Sequence, residues 1–128
     1  MREILFRGKW VDNGEWQCGS FILETHEIIK CLFDIDRRRY VHEFCEVDIS
    51  TVGMYTGLTD KNGTKIFEGD IIEAYKFGEE KHINIITFKK GCFWFGNWHF
   101  TEFLDKFRMY EVIGSIHDNP ELLEENNK

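Results

Sequence analysis

Few of the features that announce an activity are present in this chain. There is no Gly-x-Gly-x-x-Gly, no Gly-Lys-Ser/Thr and no Gly-x-Ser-x-Gly, so the common nucleotide-binding and hydrolase signatures are absent. No apolar run reaches 18 residues, which excludes a spanning helix and argues against a membrane partner. The opening Met1-Arg2-Glu3-Ile4-Leu5-Phe6-Arg7 has charges on both sides of a three-residue apolar stretch, too short for a signal peptide. The four cysteines, Cys18, Cys31, Cys45 and Cys92, lie far apart with no paired spacing, and without a secretory signal they read as reduced thiols in a cytoplasm. Positive charge is also in deficit. Sixteen Lys and Arg stand against 23 Asp and Glu, a formal −7, so the overall field disfavours phosphate backbones and anionic membrane surfaces. A single proline makes a linker or tail a poor description.

What the chain does have is a moderate apolar fraction of 42% and 16% aromatics. A 128-residue chain of this kind buries roughly two-thirds of its unfolded surface, enough for its own core. Strand-like alternation with turn chemistry recurs along it. Ile4–Trp10 and Glu15–Leu23 form an expected hairpin around Asp12-Asn13-Gly14. Glu27–Phe33 and Arg38–Asp48 follow, joined by Asp34-Ile35-Asp36-Arg37, with a short helix as the open alternative for each. The second of these places Tyr40, His42 and Phe44 on one face and Val41, Cys45 and Val47 on the other. Thr51–Leu58 reads as extended, and Asn62-Gly63 turns it into Lys65-Ile66-Phe67. Glu68-Gly69-Asp70 breaks that strand before Ile71–Lys76. The turn Phe77-Gly78-Glu79-Glu80 leads to His82–Phe88, and Lys89-Lys90-Gly91 leads to Cys92–Phe100. Thr101 is expected to cap a short turn through Phe107, Met109–Ile116 to form the last strand, and Asn119-Pro120 to start a short helix before a frayed tail at 124–128. Regular short strands of this kind suggest a small barrel or sandwich in one domain.

The run Val52-Gly53-Met54-Tyr55-Thr56-Gly57-Leu58-Thr59-Asp60-Lys61-Asn62-Gly63-Thr64-Lys65-Ile66-Phe67-Glu68-Gly69-Asp70-Ile71-Ile72 resembles the core pattern of the YopX family, small proteins encoded by bacteriophages and prophages. Phe6-Arg7-Gly8-Lys9-Trp10 looks like that family's opening strand, and the stretch from Tyr110 to Leu123 looks like its closing strand and helix. No family motif matches between Leu23 and Ser50. The resemblance implies a mainly β fold: a small SH3-like barrel with an additional N-terminal β-hairpin region and short C-terminal helices. A single domain over 1–128 would then hold an N-terminal β region to about residue 50, a barrel-like region at about 51–118 and a short helix with tail at about 119–128. It also implies a phage or prophage origin, hence a bacterial host cytoplasm, and it implies no established activity.

Several groups invite a chemical reading. Gly69-Asp70 offers a lone acid, whereas paired acid–base work needs two positioned groups, so a structural turn is the preferred account, as it is for Asn62 and Gly63. His42-Glu43-Phe44-Cys45-Glu46 lacks the second histidine of a zinc-protease helix, and as a strand it cannot bring residues four apart to one ion. No metal or cofactor is expected. Glu79-Glu80-Lys81 matches a fragment of some nucleases but reads better as a solvated turn. Arg37-Arg38-Arg39-Tyr40 is the one basic run, a candidate nucleic-acid contact that Asp34 and Asp36 partly neutralise.

Cys92–Phe100 is the least ordinary segment. As one strand it would place Phe93, Phe95, Asn97 and His99 on one face and Trp94, Gly96, Trp98 and Phe100 on the other, rings on both sides. Either a second layer covers both faces, or Trp94, Trp98 and Phe100 belong to a contact surface with a partner or a second copy. The expectation is a non-enzymatic phage accessory protein acting through protein contacts. The alternatives are a nucleic-acid-associated regulator, whose discriminating feature would be Lys and Arg lining the aromatic face, and an enzyme without a recognisable motif.

Overall fold

Local turn chemistry sets the first hairpin. Asn13 Oδ1 accepts from the Glu15 N–H at 2.9 Å, and β1 (Phe6–Trp10) returns antiparallel as β2 (Trp16–Ile22). The computed structural model describes residues 2–77 and 80–126. Among the described residues there are ten strands in two antiparallel sheets and two helices, the longer of seven residues, so the protein is mainly β. The expected turn at Gly78 and Glu79 and the end of the tail, Asn127 and Lys128, lie outside the described residues. Residues 124–126, expected to be frayed, belong to the last helix.

The chain forms two compact units, Met1–Tyr55 and Thr56–Lys128. In the first, β3 (Glu27–Asp34) pairs with β2 and with the first part of β4 (Arg39–Thr59), while β1 pairs with a later part of β4 as well as with β2. The sheet therefore returns on itself, with Ile28, Cys45 and Val47 buried inside it. One expectation is corrected here. The segments read as separate strands at 38–48 and 51–58 are one continuous strand, β4. The apparent break is a bulge: partners run Lys9↔Asp48 and then Arg7↔Gly53. Asp48 Oδ1 accepts from the N–H of Ser50 at 3.0 Å, and Thr51 Oγ1 accepts from Lys9 N–H at 2.9 Å while donating to Asp48 C=O at 2.6 Å. These bonds satisfy the backbone where ladder pairing lapses.

In the second unit the end of β4 meets β5 (Lys65–Phe67). A second sheet follows, in the order β10-β6-β7-β8-β9, from β6 (Asp70–Lys76), β7 (Glu80–Lys89), β8 (Cys92–Phe95), β9 (Trp98–His99) and β10 (Phe107–Ser115). Helix α1 (Phe100–Lys106) lies between β9 and β10, and α2 (Glu121–Asn126) closes the chain. The core comprises Ile66, Ile72, Ala74, Ile86, Phe95, Phe103 and Phe107. Phe103 of α1 sits 4.6 Å from Phe95 and 5.5 Å from Phe107 between ring centroids, so the helix roofs the aromatic part of the sheet.

The expected strand Cys92–Phe100 is also corrected. It is a hairpin, β8 to β9, turned at Gly96-Asn97, followed at once by α1. Gly96 has φ +57°, and a Cβ there would come within 2.6 Å of the Asn84 side chain, so the turn is a glycine position on two counts. Register then pairs Phe95 with Trp98 and Trp94 with His99. Cross-strand partners share a face. Trp94 and Trp98 therefore lie on opposite faces, not on one. Two caps also differ. His99, not Thr101, caps α1, its Nδ1 accepting from Thr101 N–H at 3.2 Å. Asn119 does not use its side chain to cap α2, because Oδ1 accepts from Ser115 N–H at 3.3 Å.

Candidate functional site

The β3–β4 hairpin outruns its neighbours. Among the described residues, β2 pairs with β3 only at Glu27, Ile28 and Ile29, and β1 pairs with β4 only from Val47 onward. Residues 30–44 thus form a two-stranded ribbon, a structure of marginal stability on its own. Its register puts Ile29↔Phe44, Cys31↔His42 and Phe33↔Tyr40 on one face. Phe33, Tyr40 and Phe44 are 54%, 69% and 56% exposed, and Phe33 and Tyr40 touch edge to face at 5.2 Å. Period-two alternation explains why the same strand buries Cys45 and Val47. At the ribbon's tip, Ile35 is exposed, and Arg37, Arg38 and Arg39 are all exposed. Asp34 accepts from the Arg37 N–H at 3.2 Å and holds its guanidinium at 3.8 Å, while Arg38 takes φ +52° to close the turn. The basic run and the exposed rings therefore belong to one feature. The sequence carried the alternation for this face but not the fact that its rings remain more than half exposed.

The candidate tryptophans are each half-buried, on opposite faces of the β8–β9 hairpin. Trp94 donates its indole N–H to Lys89 C=O at 3.0 Å, with the Lys89 ammonium 4.9 Å from the ring centroid and His99 5.3 Å away edge-on. Trp98 packs its edge on Phe107 at 5.4 Å and lies near two ammonium groups, Lys76 at 4.6 Å and Lys106 at 5.1 Å. Phe100 opens α1, stacked on Phe103 at 5.6 Å and tilted against Phe93 at 5.8 Å, so it belongs with the core rings.

The residues of the recognisable central run serve the backbone. Gly69, at φ +93°, donates its N–H to Ile86 C=O and accepts from Ile116 N–H, each at 2.8 Å. Asp70 is buried and its Oδ2 accepts from Phe67 N–H at 2.7 Å. Gly63, at φ +81°, donates to Asp60 C=O, and Asn62 donates from its side chain to Glu111 at 3.1 Å. Sequence reasoning missed Asp60. Its Oδ1 accepts from Asn62 and Thr64 N–H, each at 2.9 Å, and its Oδ2 accepts from Val112 N–H at 2.9 Å. One buried carboxylate thus fixes the β4–β5 turn and pins it to β10. An acid just before an Asn-Gly turn was the available clue.

No three His, Cys, Asp or Glu side chains among the described residues form a metal-binding group. His42 faces Cys31 across the ribbon, on the face opposite Cys45. Burial first, and then the hydrogen bond to Glu43 at 3.4 Å, push the Cys45 thiol above its ordinary range. Cys92 Sγ lies 3.3 Å from His99 Nε2. Of the Glu79-Glu80-Lys81 triplet, Glu79 lies outside the described residues and Glu80 faces His82 at 3.4 Å. No described helix is long and apolar enough to cross a membrane.

The fold and these surfaces define a small, mainly β protein of two sheet-based units whose marked residues secure turns or lie exposed as rings. The family comparison is specific: the YopX protein family matches residues 6–124, nearly the whole chain, and the protein belongs to that family. Comparison with curated proteins finds no match. Among solved structures, the chain is similar to the crystal structure of protein EF1440 from Enterococcus faecalis, at 26% identity and a TM-score of 0.55, covering 96% of this chain and 99% of that one.

Proposed function

We propose that this protein is a non-enzymatic phage accessory protein of the bacterial cytoplasm, and that the outer face of its β3–β4 ribbon receives a protein partner. The observation that carries this is the row Phe33, Tyr40 and Phe44, each more than half exposed on one face of a ribbon whose two outer edges have no strand partner among the described residues. Such an edge accepts an extended segment by strand addition, with main-chain hydrogen bonds giving affinity and the rings giving side-chain recognition. Aromatic residues set this way are the usual anchors of protein interfaces. The family resemblance implies an SH3-like barrel component over about residues 51–118, and we include that assignment in the proposal.

The test is parallel affinity capture from infected host cells with the wild-type chain and with Phe33→Ser/Tyr40→Ser/Phe44→Ser. At least one protein held by the wild type should be reduced fivefold or more on the variant, an easily met loss if interface anchors are removed. Capture of the same proteins at the same level by both would refute the assignment.

A further inference from the structure

We infer that the second unit carries a separate site for single-stranded nucleic acid, centred on Trp98 at one end of the second sheet. It does not rest on the protein-contact reading. Three cations and two rings gather there. Lys76 lies opposite Phe107 in the β6–β10 register, and Phe107 meets the Trp98 indole at a steep angle, 78° between ring planes. The Lys76 and Lys106 ammonium groups lie 4.6 and 5.1 Å from the indole centroid. One residue along, Phe77 is 64% exposed with the Arg108 guanidinium 4.6 Å from its ring centroid. Arg108 Nη1 donates to Leu104 C=O at 3.3 Å and to Phe107 C=O at 3.1 Å, which holds it in place.

Among the described residues, Glu102, Glu80 and the exposed Asp105 beside Lys106 in α1 offset part of this positive charge. Glu102 pairs with Lys106 at 3.8 Å in exposed geometry, and Glu80 is opposite Lys76 in the β6–β7 register but faces His82 at 3.4 Å. Exposed ion pairs and cation–π contacts are weak and readily exchanged. A phosphate would draw the lysines off the indole, and a base would take the ring face they leave, since base–aromatic stacking is the stronger contact. This is the arrangement that single-strand readers use, cations for the backbone and planar rings for unstacked bases. An acidic peptide without aromatic residues, such as polyglutamate, would satisfy the cations but offers no ring to stack on the indole. A duplex keeps its bases stacked and would present its broad charge to a chain of net charge −7.

Fluorescence anisotropy of labelled oligothymidylate and oligouridylate of about 15 nucleotides, titrated with the full chain, tests the site. Three phosphate contacts predict a slope of about −2 for the logarithm of affinity against the logarithm of salt, between about 50 and 200 mM. Tighter binding of the RNA assigns the natural strand to RNA, and equal or tighter binding of the DNA assigns it to DNA. Lys76→Glu/Lys106→Glu should weaken binding about fivefold or more, with Lys76→Gln/Lys106→Gln as the substitute if the reversal unfolds the chain. Trp98→Phe should retain most affinity and Trp98→Ala lose about fivefold or more. Arg37→Glu/Arg38→Glu/Arg39→Glu should change affinity less than about twofold. The site is overturned by no binding at about 100 µM in low salt, by a duplex or polyglutamate binding as well as the single strand, or by loss in the arginine variant instead of the lysine one.

Discussion

The two units place the same kinds of side chain in opposite circumstances. In the second, Phe95, Phe103 and Phe107 pack with centroids 4.6 to 5.5 Å apart and are fully buried. In the first, Phe33, Tyr40 and Phe44 line a strand pair as regular as any in the molecule and remain mostly in solvent. Propensity does not separate the two sets, because aromatics favour strands in either case. The difference is a layer: α1 lays Phe103 over Phe95, while within the first unit's described residues the ribbon's outer rings stay more than half exposed. Aromatic content thus reports that a sheet will form, and the covering element decides whether the rings become core or surface.

The comparison breaks most visibly where the roof is removed. Phe103→Ala should cost about 3–5 kcal/mol, because it deletes a fully buried ring touching Phe95, Phe107 and Tyr110. The melting temperature should fall by about 10 °C or more, and a shift below about 3 °C would show that α1 is not a true second layer. A smaller effect is expected at Asp60. Replacing it with alanine strands three backbone N–H groups and should cost about 2–4 kcal/mol in urea unfolding, with Asp60→Asn recovering part of the loss through its remaining carbonyl oxygen. Equal stability of Asp60→Ala and wild type would remove the carboxylate from the account.

Smaller still is the effect of alkaline pH on the first unit. Burial and Glu43 raise the Cys45 thiol above its ordinary value of 9.0 in the folded chain. Above that pH the unfolded chain loses this proton first, so folding stability should fall as pH rises, by at most about 1.4 kcal/mol per pH unit from this thiol. Tyr75, raised by its hydrogen bond to Glu73, works in the same direction. Cys45→Ala should flatten the decline measured by denaturant unfolding between pH 8 and 10, and an unchanged decline would assign it elsewhere.

Much of the fold was legible because its turns are chemically explicit. Asn13, Asn62-Gly63, Gly69-Asp70 and Gly91 mark reversals at the expected places. What escaped was whatever depends on residues distant in sequence. The bulge at Asp48–Thr51 looks like a strand end until Lys9 is seen to bond Thr51 across 42 positions. Rings on both sides of Gly96-Asn97 sustain an apparent alternation in the sequence, which hides the turn and puts Trp98 on the wrong face. The site suffered the same way. Tyr40 and its arginines stand out in the sequence for charge, whereas Phe33, the strand partner of Tyr40, joins the exposed face only through register. The role of Asp60 needs Val112, 52 residues on.

The proposed contact surface requires the ribbon's outer rings to be surface and not core, and urea unfolding of Phe33→Ser/Tyr40→Ser/Phe44→Ser measures that most directly. Surface substitutions usually lie within about 0.5 kcal/mol each, so the triple variant should unfold within about 1.5 kcal/mol of the wild type with an unchanged denaturant slope. Even the upper end of that range is at most half the loss expected from Phe103→Ala alone. A loss of about 4 kcal/mol or more would mean that the ribbon's rings are buried in solution, and would contradict the contact surface proposed for them.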